Sequence, residues 1–264
     1  MNMKMKKSLQ MNAAAAFDDI GPVASVEPGP AGAKVLLVCE HASSHIPEQF
    51  GGLGLPIELQ QSHIAWDPGA LGVARAMATV LEAPLVRGCI SRLVYDCNRP
   101  PEVESSIPAK SEIYEIPGNS NLSEADRTLR VASVYAPFRR LLGREIHRRK
   151  GSVQSIVTVH SFTPIFHGRK RDVEVGILHG QDPGFARAMM ASVPEDLNMV
   201  ARLNEPYSAA DGVAHTLDVH GVANGFLNVM IEIRNDLIQT KSQQEEIGAK
   251  LASWISDTLA DTSK

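Results

Sequence analysis

The stretch Val35-Leu36-Leu37-Val38-Cys39-Glu40-His41-Ala42-Ser43-Ser44-His45 decides the fold, because an apolar run changes abruptly into a polar one. Consecutive apolar residues that include β-branched ones are typical of a strand buried on both faces of a sheet. The polar residues follow at the carboxyl end of that strand, where open α/β sheets usually carry their functional groups. The stretch therefore predicts an α/β protein with a site around His41.

Short apolar runs alternate with longer stretches of helical periodicity along the rest of the chain. This alternation predicts a single α/β domain, in which helices flank a mixed β-sheet on both faces. Further strands are predicted at residues 85–87, 93–96, 155–159, 173–178, 198–203 and 228–234. One helix is predicted to start with Asp67 as its N-cap and Pro68 as its first residue, and others at 123–150, from Asp182 and at 240–259.

The folded domain is predicted to span residues 33–264, after a flexible extension, 1–32, that is rich in Ala, Pro and Gly. The apolar run within residues 1–7 is interrupted too soon for a signal peptide or a membrane span. We therefore expect a cytoplasmic protein without a membrane partner. A long segment dense in Pro, Ser and Glu, 97–121, is predicted to form a loop that acts as a lid.

Composition narrows the class of partner. The formal net charge of −4 gives no concentrated basic surface for nucleic acid or for an anionic membrane. The three cysteines lack CxxC spacing and lie in apolar or strand-like surroundings, so reduced thiols are expected. A small-molecule partner fits these features best.

Residues able to bind a metal follow several of the predicted strands. His41, His160 and Glu232 each lie at or near a strand end, and Asp67 lies in a turn between them. Two histidines and one acid satisfy a catalytic zinc, which usually takes three protein ligands and keeps a fourth position for water. Glu232 is a candidate for the general base. Asp67 could equally serve only as a helix cap.

Two further motifs favour recognition of a substrate carboxylate. Asn98-Arg99 follows a predicted strand, and Arg234 lies two residues after Glu232. A planar guanidinium binds a carboxylate in a bidentate manner that lysine cannot match. Alternatives remain open, because Arg234 could pair with Glu232 on the same face of the strand, and Arg92 could pair with Asp96.

An ordered set of motifs carries a resemblance to a known family. The motifs are 40-EHASSHIP-47, 66-WDPGA-70, 91-SRLVYDCNRP-100, 159-VHSF-162, 204-NEPY-207, Thr216-Leu217 with His220-Gly221, and 231-IEIRNDLI-238. In this order they resemble the N-formylglutamate amidohydrolase family over roughly residues 35–256. Each motif is weak alone, whereas the ordered set is specific.

The resemblance implies a hydrolase fold related to the zinc carboxypeptidases and aspartoacylases, and hydrolysis of N-formylglutamate to formate and glutamate at a zinc-type site. It implies metal ligation by His41 and His160, a base at Glu232, and a carboxylate clamp at Asn98 and Arg99. We expect Arg234 or Arg92 to help this clamp. Ser44 stands where those relatives have a ligating glutamate.

The third ligand of zinc, or of another divalent metal, is therefore predicted to be Asp67, with His45 and Glu40 as alternatives. The leading substrate is N-formyl-L-glutamate. A larger N-acyl amino acid or a peptide C-terminus is the enzymatic alternative. A non-catalytic protein that binds or senses acyl-amino acids is the alternative of another class.

Overall fold

The computed structural model describes residues 20–262, which form a mixed sheet of seven strands covered by helices on both faces. The strands are β1 Ala24–Glu27, β2 Val35–Cys39, β3 Leu85–Gly88, β4 Lys110–Ser111, β5 Tyr114–Glu115, β6 Ser155–Phe162, β7 Ile165–Phe166, β8 Arg169–Lys170, β9 Val175–Leu178, β10 Ala201–Leu203 and β11 Leu227–Arg234. The helices are α1 Ile57–Gln60, α2 Ala70–Val80, α3 Glu124–Arg130, α4 Ala136–Arg148, α5 Gly184–Ala191 and α6 Lys241–Thr262. The predicted α/β class is confirmed.

The strand order of the main sheet is β1-β3-β2-β6-β11-β9-β10. Its centre is parallel, because β2 pairs in parallel with β3 and β6, and β6 pairs in parallel with β11. β1 joins β3, and β9 joins β11, in the antiparallel sense. The carboxyl ends of β2, β6 and β11 therefore meet at one edge of the sheet.

Strand β2 is buried along its whole length because its alternate side chains enter two different cores. Leu37 belongs to a core formed with α2, α5 and α6, on the side of Trp254. Leu36 belongs to the core on the opposite face, on the side of Phe138 in α4. This explains why the strand is continuously apolar instead of alternating between apolar and polar residues.

Part of the predicted N-terminal extension belongs to the sheet. Strand β1 pairs with β3 from Ala24 opposite Gly88 to Glu27 opposite Leu85, and Arg149 donates to the carbonyl oxygen of Gly29 at 3.0 Å. A four-residue strand at a sheet edge gives little apolar signal, which is why composition alone indicated a flexible segment. The rest of that prediction, residues 1–19, lies outside the described residues, as does the apolar run within 1–7.

Two predicted elements have a different form in the structure. Residues 93–96 make a turn instead of a strand, because the N–H of Val94 bonds to the carbonyl of Ser91. The predicted helix 123–150 is present and begins with a capping box between Ser123 and Asp126. It contains a π-helical turn, Val131–Tyr135, which ends just before Pro137, a residue that cannot donate a backbone hydrogen bond. Within residues 20–262, no helix combines the length and apolar character needed to cross a membrane.

Candidate metal centre

The carboxyl ends of the central parallel strands bring the predicted chemical groups together. His41 follows β2, while His160 and Glu232 lie in β6 and β11 and are partners in the register of these two strands. All three residues are buried. The convergence expected from the positions of these residues after separate apolar runs is therefore present.

A cluster suited to a divalent cation is formed by His41, Asp67 and His160. Nδ1 of His41 lies 3.3 Å from Oδ2 of Asp67, and Nδ1 of His160 lies 2.9 Å from the same oxygen. The potential ligand atoms of the three residues lie within 4.8 Å of one another, and all three residues are buried. Two imidazole nitrogens and one carboxylate oxygen form a donor set that suits zinc.

Asp67 does not cap the helix that follows it, so that prediction was wrong. Helix α2 starts at Ala70 with Gly69 as its N-cap, at φ 82°, and no side chain makes a capping bond. A Cβ atom on Gly69 would lie 2.5 Å from the carbonyl oxygen of Ile238, so only glycine fits this turn. The Asp67 carboxylate instead faces the two histidines and Arg92, whose Nη1 lies 3.3 Å from Oδ1.

The outer nitrogen of each histidine faces a second carboxylate. Nε2 of His41 lies 2.7 Å from Oδ1 of Asp96, and Nε2 of His160 lies 3.1 Å from Oε2 of Glu40. Metal-binding histidines commonly present their second nitrogen to a carboxylate, which fixes the ring and raises its basicity as a ligand. Sequence reasoning missed this role for both acids, although Glu40 adjoins His41 and Asp96 lies in the same motif as Asn98.

The alternative third ligands are not part of the cluster. Glu40 lies on the outer side of His160, away from the Nδ1 atom that faces Asp67. His45 is exposed, and its backbone is engaged by Ser43 and Ser91. Among residues 20–262, only His41, Asp67 and His160 form a group able to hold a metal ion.

Charges within the cluster lower the pKa of its carboxylate and raise the pKa of its imidazoles. Burial opposes ionisation of Asp67, but His41, His160 and Arg92 hold its pKa well below the usual range. Burial disfavours the protonated form of His160, but Glu40 and Asp67 raise its pKa well above 6.5. The imidazoles thus tend to hold protons when no other cation is present, and a bound metal would replace those protons.

Glu232 differs from the other acids of the cluster. Burial raises the pKa of Glu232 to about 7, although His160 and Arg92 oppose the shift. Its Oε2 is buried and has no hydrogen-bond partner among the described residues. A buried carboxylate with a pKa raised towards neutrality, beside a candidate metal centre, has the properties of a general base.

A cavity of about 870 Å³ opens onto the cluster and is lined by His41, His160 and Glu232. Its outer wall comes from residues 165–173, which include the β7–β8 hairpin, and from parts of the segment 200–213. The predicted lid, 97–121, contributes only Asn98 and Arg99 to this wall. The rest of that loop is tied down, since Asn119 donates to the carbonyl oxygens of Leu93 and Pro108 at 2.8 Å.

Three of the four predicted substrate-binding residues line the cavity. Arg92 bridges two acids, with Nη2 2.8 Å from Oδ2 of Asp96 and Nη1 near Asp67. Arg99 donates to the carbonyl oxygen of Gly212 and pairs with no carboxylate of residues 20–262. Asn98 donates to Val213 and accepts from the N–H of Thr216 at 3.0 Å, so both polar atoms of its amide already hold the backbone.

Arg234, which was predicted to help bind the substrate carboxylate, does not line the cavity, and its donors are engaged by neighbouring residues. Nε lies 2.8 Å from Oδ1 of Asp236, and Nη2 lies 3.2 Å from Oε1 of Glu174. Nη1 donates to the carbonyl oxygen of Arg171. Arg234 therefore secures the segment before β9, because its donors are used by neighbouring loops.

Comparisons with known proteins place the chain in a family. The sequence model of the N-formylglutamate amidohydrolase family matches residues 33–239. The crystal structure of gene product Atu2144 from Agrobacterium tumefaciens is 48% identical, covers 92% of this chain and 97% of its own, and superposes with a TM-score of 0.89. An N-formylglutamate amidohydrolase from Ralstonia eutropha JMP134 shares the fold, with a TM-score of 0.58, 15% identity, and coverage of 89% of this chain and 98% of its own.

The search of curated proteins gives no match. The family match covers most of the chain, including the strands and turns that supply His41, Asp67, His160 and Glu232. The chain therefore belongs to the N-formylglutamate amidohydrolase family, a family of hydrolases that act on an amide bond.

Proposed function

We propose that this protein is a metal-dependent hydrolase of N-formyl or N-acyl amino acids, with N-formyl-L-glutamate as the leading substrate and zinc as the leading metal. The observation that carries the proposal is the buried group of His41, Asp67 and His160 beside the unpartnered carboxylate of Glu232. Membership of an amidohydrolase family supports the reaction class.

The metal would be held by Nδ1 of His41, Nδ1 of His160 and the carboxylate of Asp67. The donor set and the carboxylates behind both imidazoles support this assignment, because they would orient the rings and stabilise a cation between them. When bound there, a divalent metal supplies Lewis acidity, which polarises a carbonyl group and lowers the pKa of water.

Glu232 performs the proton transfers in this proposal. Its carboxylate accepts a proton from the attacking water and returns that proton to the nitrogen of the leaving amine. The water oxygen adds to the carbonyl carbon first, and the C–N bond breaks afterwards as the nitrogen takes up the proton, so that the amide and one water give formate and the free amino acid. The burial of Glu232 limits contact between solvent and the proton that it carries.

Arg99 is proposed to bind the α-carboxylate that every N-acyl amino acid shares. Its guanidinium lines the cavity and has no carboxylate partner among the described residues. Asn98 acts indirectly, because its amide holds the backbone at Val213 and Thr216. Arg92 orients Asp67 and Asp96 and also lines the cavity.

A larger N-acyl amino acid or a short peptide is the second candidate substrate. The observation that favours it is the cavity volume of about 870 Å³, near the upper end of the usual range for small-molecule sites. N-formyl-L-glutamate would fill only part of this space.

The first test combines metal content with turnover. The protein is purified without chelator, its metal is measured by elemental analysis, and formate release from N-formyl-L-glutamate is followed for the wild type, His160→Ala and Glu232→Gln. We expect about one metal per chain in the wild type, loss of metal and turnover in His160→Ala, and loss of turnover alone in Glu232→Gln.

Metal without formate release would reject N-formyl-L-glutamate and direct the assay to longer acyl groups and peptides. Neither metal nor turnover after zinc is added back would reject the hydrolase. It would favour the non-catalytic binding protein instead.

A further inference from the structure

Arg171 lies in an aromatic cage on the wall of the cavity. Its guanidinium carbon lies 5.5 Å from the ring centre of Phe162, 4.5 Å from that of Phe166 and 4.9 Å from that of Tyr207. The three rings come from β6, β7 and the loop after β10. Such contacts fix an arginine in place and stabilise its charge when it is removed from water.

The guanidinium of Arg171 has few polar partners. Nη1 donates to the carbonyl oxygen of Thr163 at 3.2 Å, and no carboxylate of residues 20–262 forms an ion pair with it. The residue is half-buried. Because withdrawing a charge from water is costly unless the charge is paired, a fixed and unpaired guanidinium on a cavity wall indicates a binding position for an anion.

Most other cationic side chains on this cavity are either paired with a carboxylate or exposed to solvent. Arg92 is already paired with Asp67 and Asp96. Arg169, Lys170 and Arg202 are exposed. Only Arg99 and Arg171 combine partial burial with the lack of a carboxylate partner among the described residues. Two unpaired guanidinium groups on one cavity match a substrate that carries two carboxylates.

We propose that Arg171 binds the side-chain carboxylate of a dicarboxylic N-acyl amino acid, and that it thereby sets the preference of the enzyme for acidic over neutral substrates. This inference rests on the proposed function, in which Arg99 binds the α-carboxylate. The planar fork of an arginine held by rings offers two parallel donors to a carboxylate.

The test compares N-formyl-L-glutamate with N-formyl-L-glutamine, which has nearly the same shape but lacks the side-chain charge. We expect the wild type to prefer the glutamate compound in kcat/KM and Arg171→Met to reduce that preference about 10- to 100-fold, the value of a charge-assisted hydrogen bond. Arg171→Lys should keep part of the preference. Arg169→Met, which removes an exposed charge from the same hairpin, should leave the ratio unchanged.

Thermal unfolding of each variant separates loss of structure from loss of recognition. An unchanged ratio in Arg171→Met, or an equal loss of kcat/KM for both compounds, would overturn the inference and leave the cage as a clamp of the hairpin.

If the zinc-loaded wild type hydrolyses neither compound, the proposed function fails independently. Calorimetric binding of the two compounds then decides the inference. A preference for the glutamate compound that disappears in Arg171→Met supports it, and equal affinities or no binding overturn it.

Discussion

Each histidine of the candidate centre lies between an inner carboxylate and an outer carboxylate, and these inner and outer acids have different roles. Asp67 faces the Nδ1 atoms of both rings, while Asp96 and Glu40 face the Nε2 atoms of His41 and His160. The inner acid is a candidate ligand, whereas the outer acids can only act through the imidazole that they contact. Replacing an outer acid should therefore change the strength of the site without removing a ligand.

We expect Asp96→Asn to weaken zinc binding about 10- to 100-fold, because Nε2 of His41 loses its charged partner. Competition with a chromophoric chelator measures this affinity directly. Asp172→Asn is the matched control, since Asp172 is an exposed acid on the same cavity. Equal zinc affinity in wild type and Asp96→Asn would mean that the Asp96 carboxylate does not support the site.

Glu232→Gln should lower kcat for formate release about 10²- to 10⁴-fold while zinc content and KM stay close to those of the wild type. The amide keeps the shape of the side chain but cannot accept the proton from water. Steady-state kinetics on metal-quantified protein measure the effect. A variant that retains kcat within a few fold would assign the proton transfer to another group.

At the level of single elements, buried hydrogen bonds connect the loop 97–121 to helix α3. Asn119 donates to the carbonyl oxygens of Leu93 and Pro108 and accepts from Arg130 at 2.6 Å. Both Asn119 and Arg130 are buried. The loop 97–121 is thereby fastened to α3 and to the turn that presents Arg92 and Asp96.

Asn119→Ala should lower the free energy of unfolding by about 2–3 kcal/mol, because it leaves buried carbonyl groups and a buried guanidinium without partners. Urea unfolding followed by circular dichroism measures the change. Ser120→Ala, at the exposed neighbouring position, is the control and should shift stability by less than about 0.5 kcal/mol. Equal midpoints for the two variants would contradict the proposed tie.

The sequence predicted an element well where its pattern lies within one segment, and poorly where contacts with other segments decide the structure. Strand β2 matches its predicted bounds because its apolar run fits a strand buried on both faces. Asp67 was misassigned as a cap because an Asp-Pro pair fits both a helix start and a turn. The contacts of Arg234 could not be predicted, because its position after Glu232 gives its side of the strand but does not reveal Glu174, which approaches from another segment.

For the whole molecule, a metal bound only by the folded chain would add to stability by mass action. Chelation of the purified protein should therefore lower the melting temperature by about 5–10 °C, and added zinc should restore it. Differential scanning calorimetry makes the measurement, with His160→Ala as the variant that should not respond to chelator or zinc. An unchanged transition in the chelated wild type would show that stability does not depend on a bound metal.

Whole-molecule features were the least accessible from sequence. The order of strands, and the choice of residues 165–173 and 200–213 instead of 97–121 as the cavity wall, follow from pairings between distant segments. The Arg171 cage is of the same kind, since its rings come from separate parts of the chain. No periodic pattern within one segment records such contacts.

The non-local pairing of the central strands also determines when the site can form during synthesis and folding. β2 pairs with β6, and β6 with β11, so strands far apart in sequence must meet before the candidate ligands do. Chains dominated by such distant contacts fold slowly, and ribosomal synthesis delivers Glu232 long after His41. A nascent chain therefore cannot bring Glu232 to the candidate ligands until nearly all of its sheet has been made, and assembly of the complete site would coincide with the completion of folding.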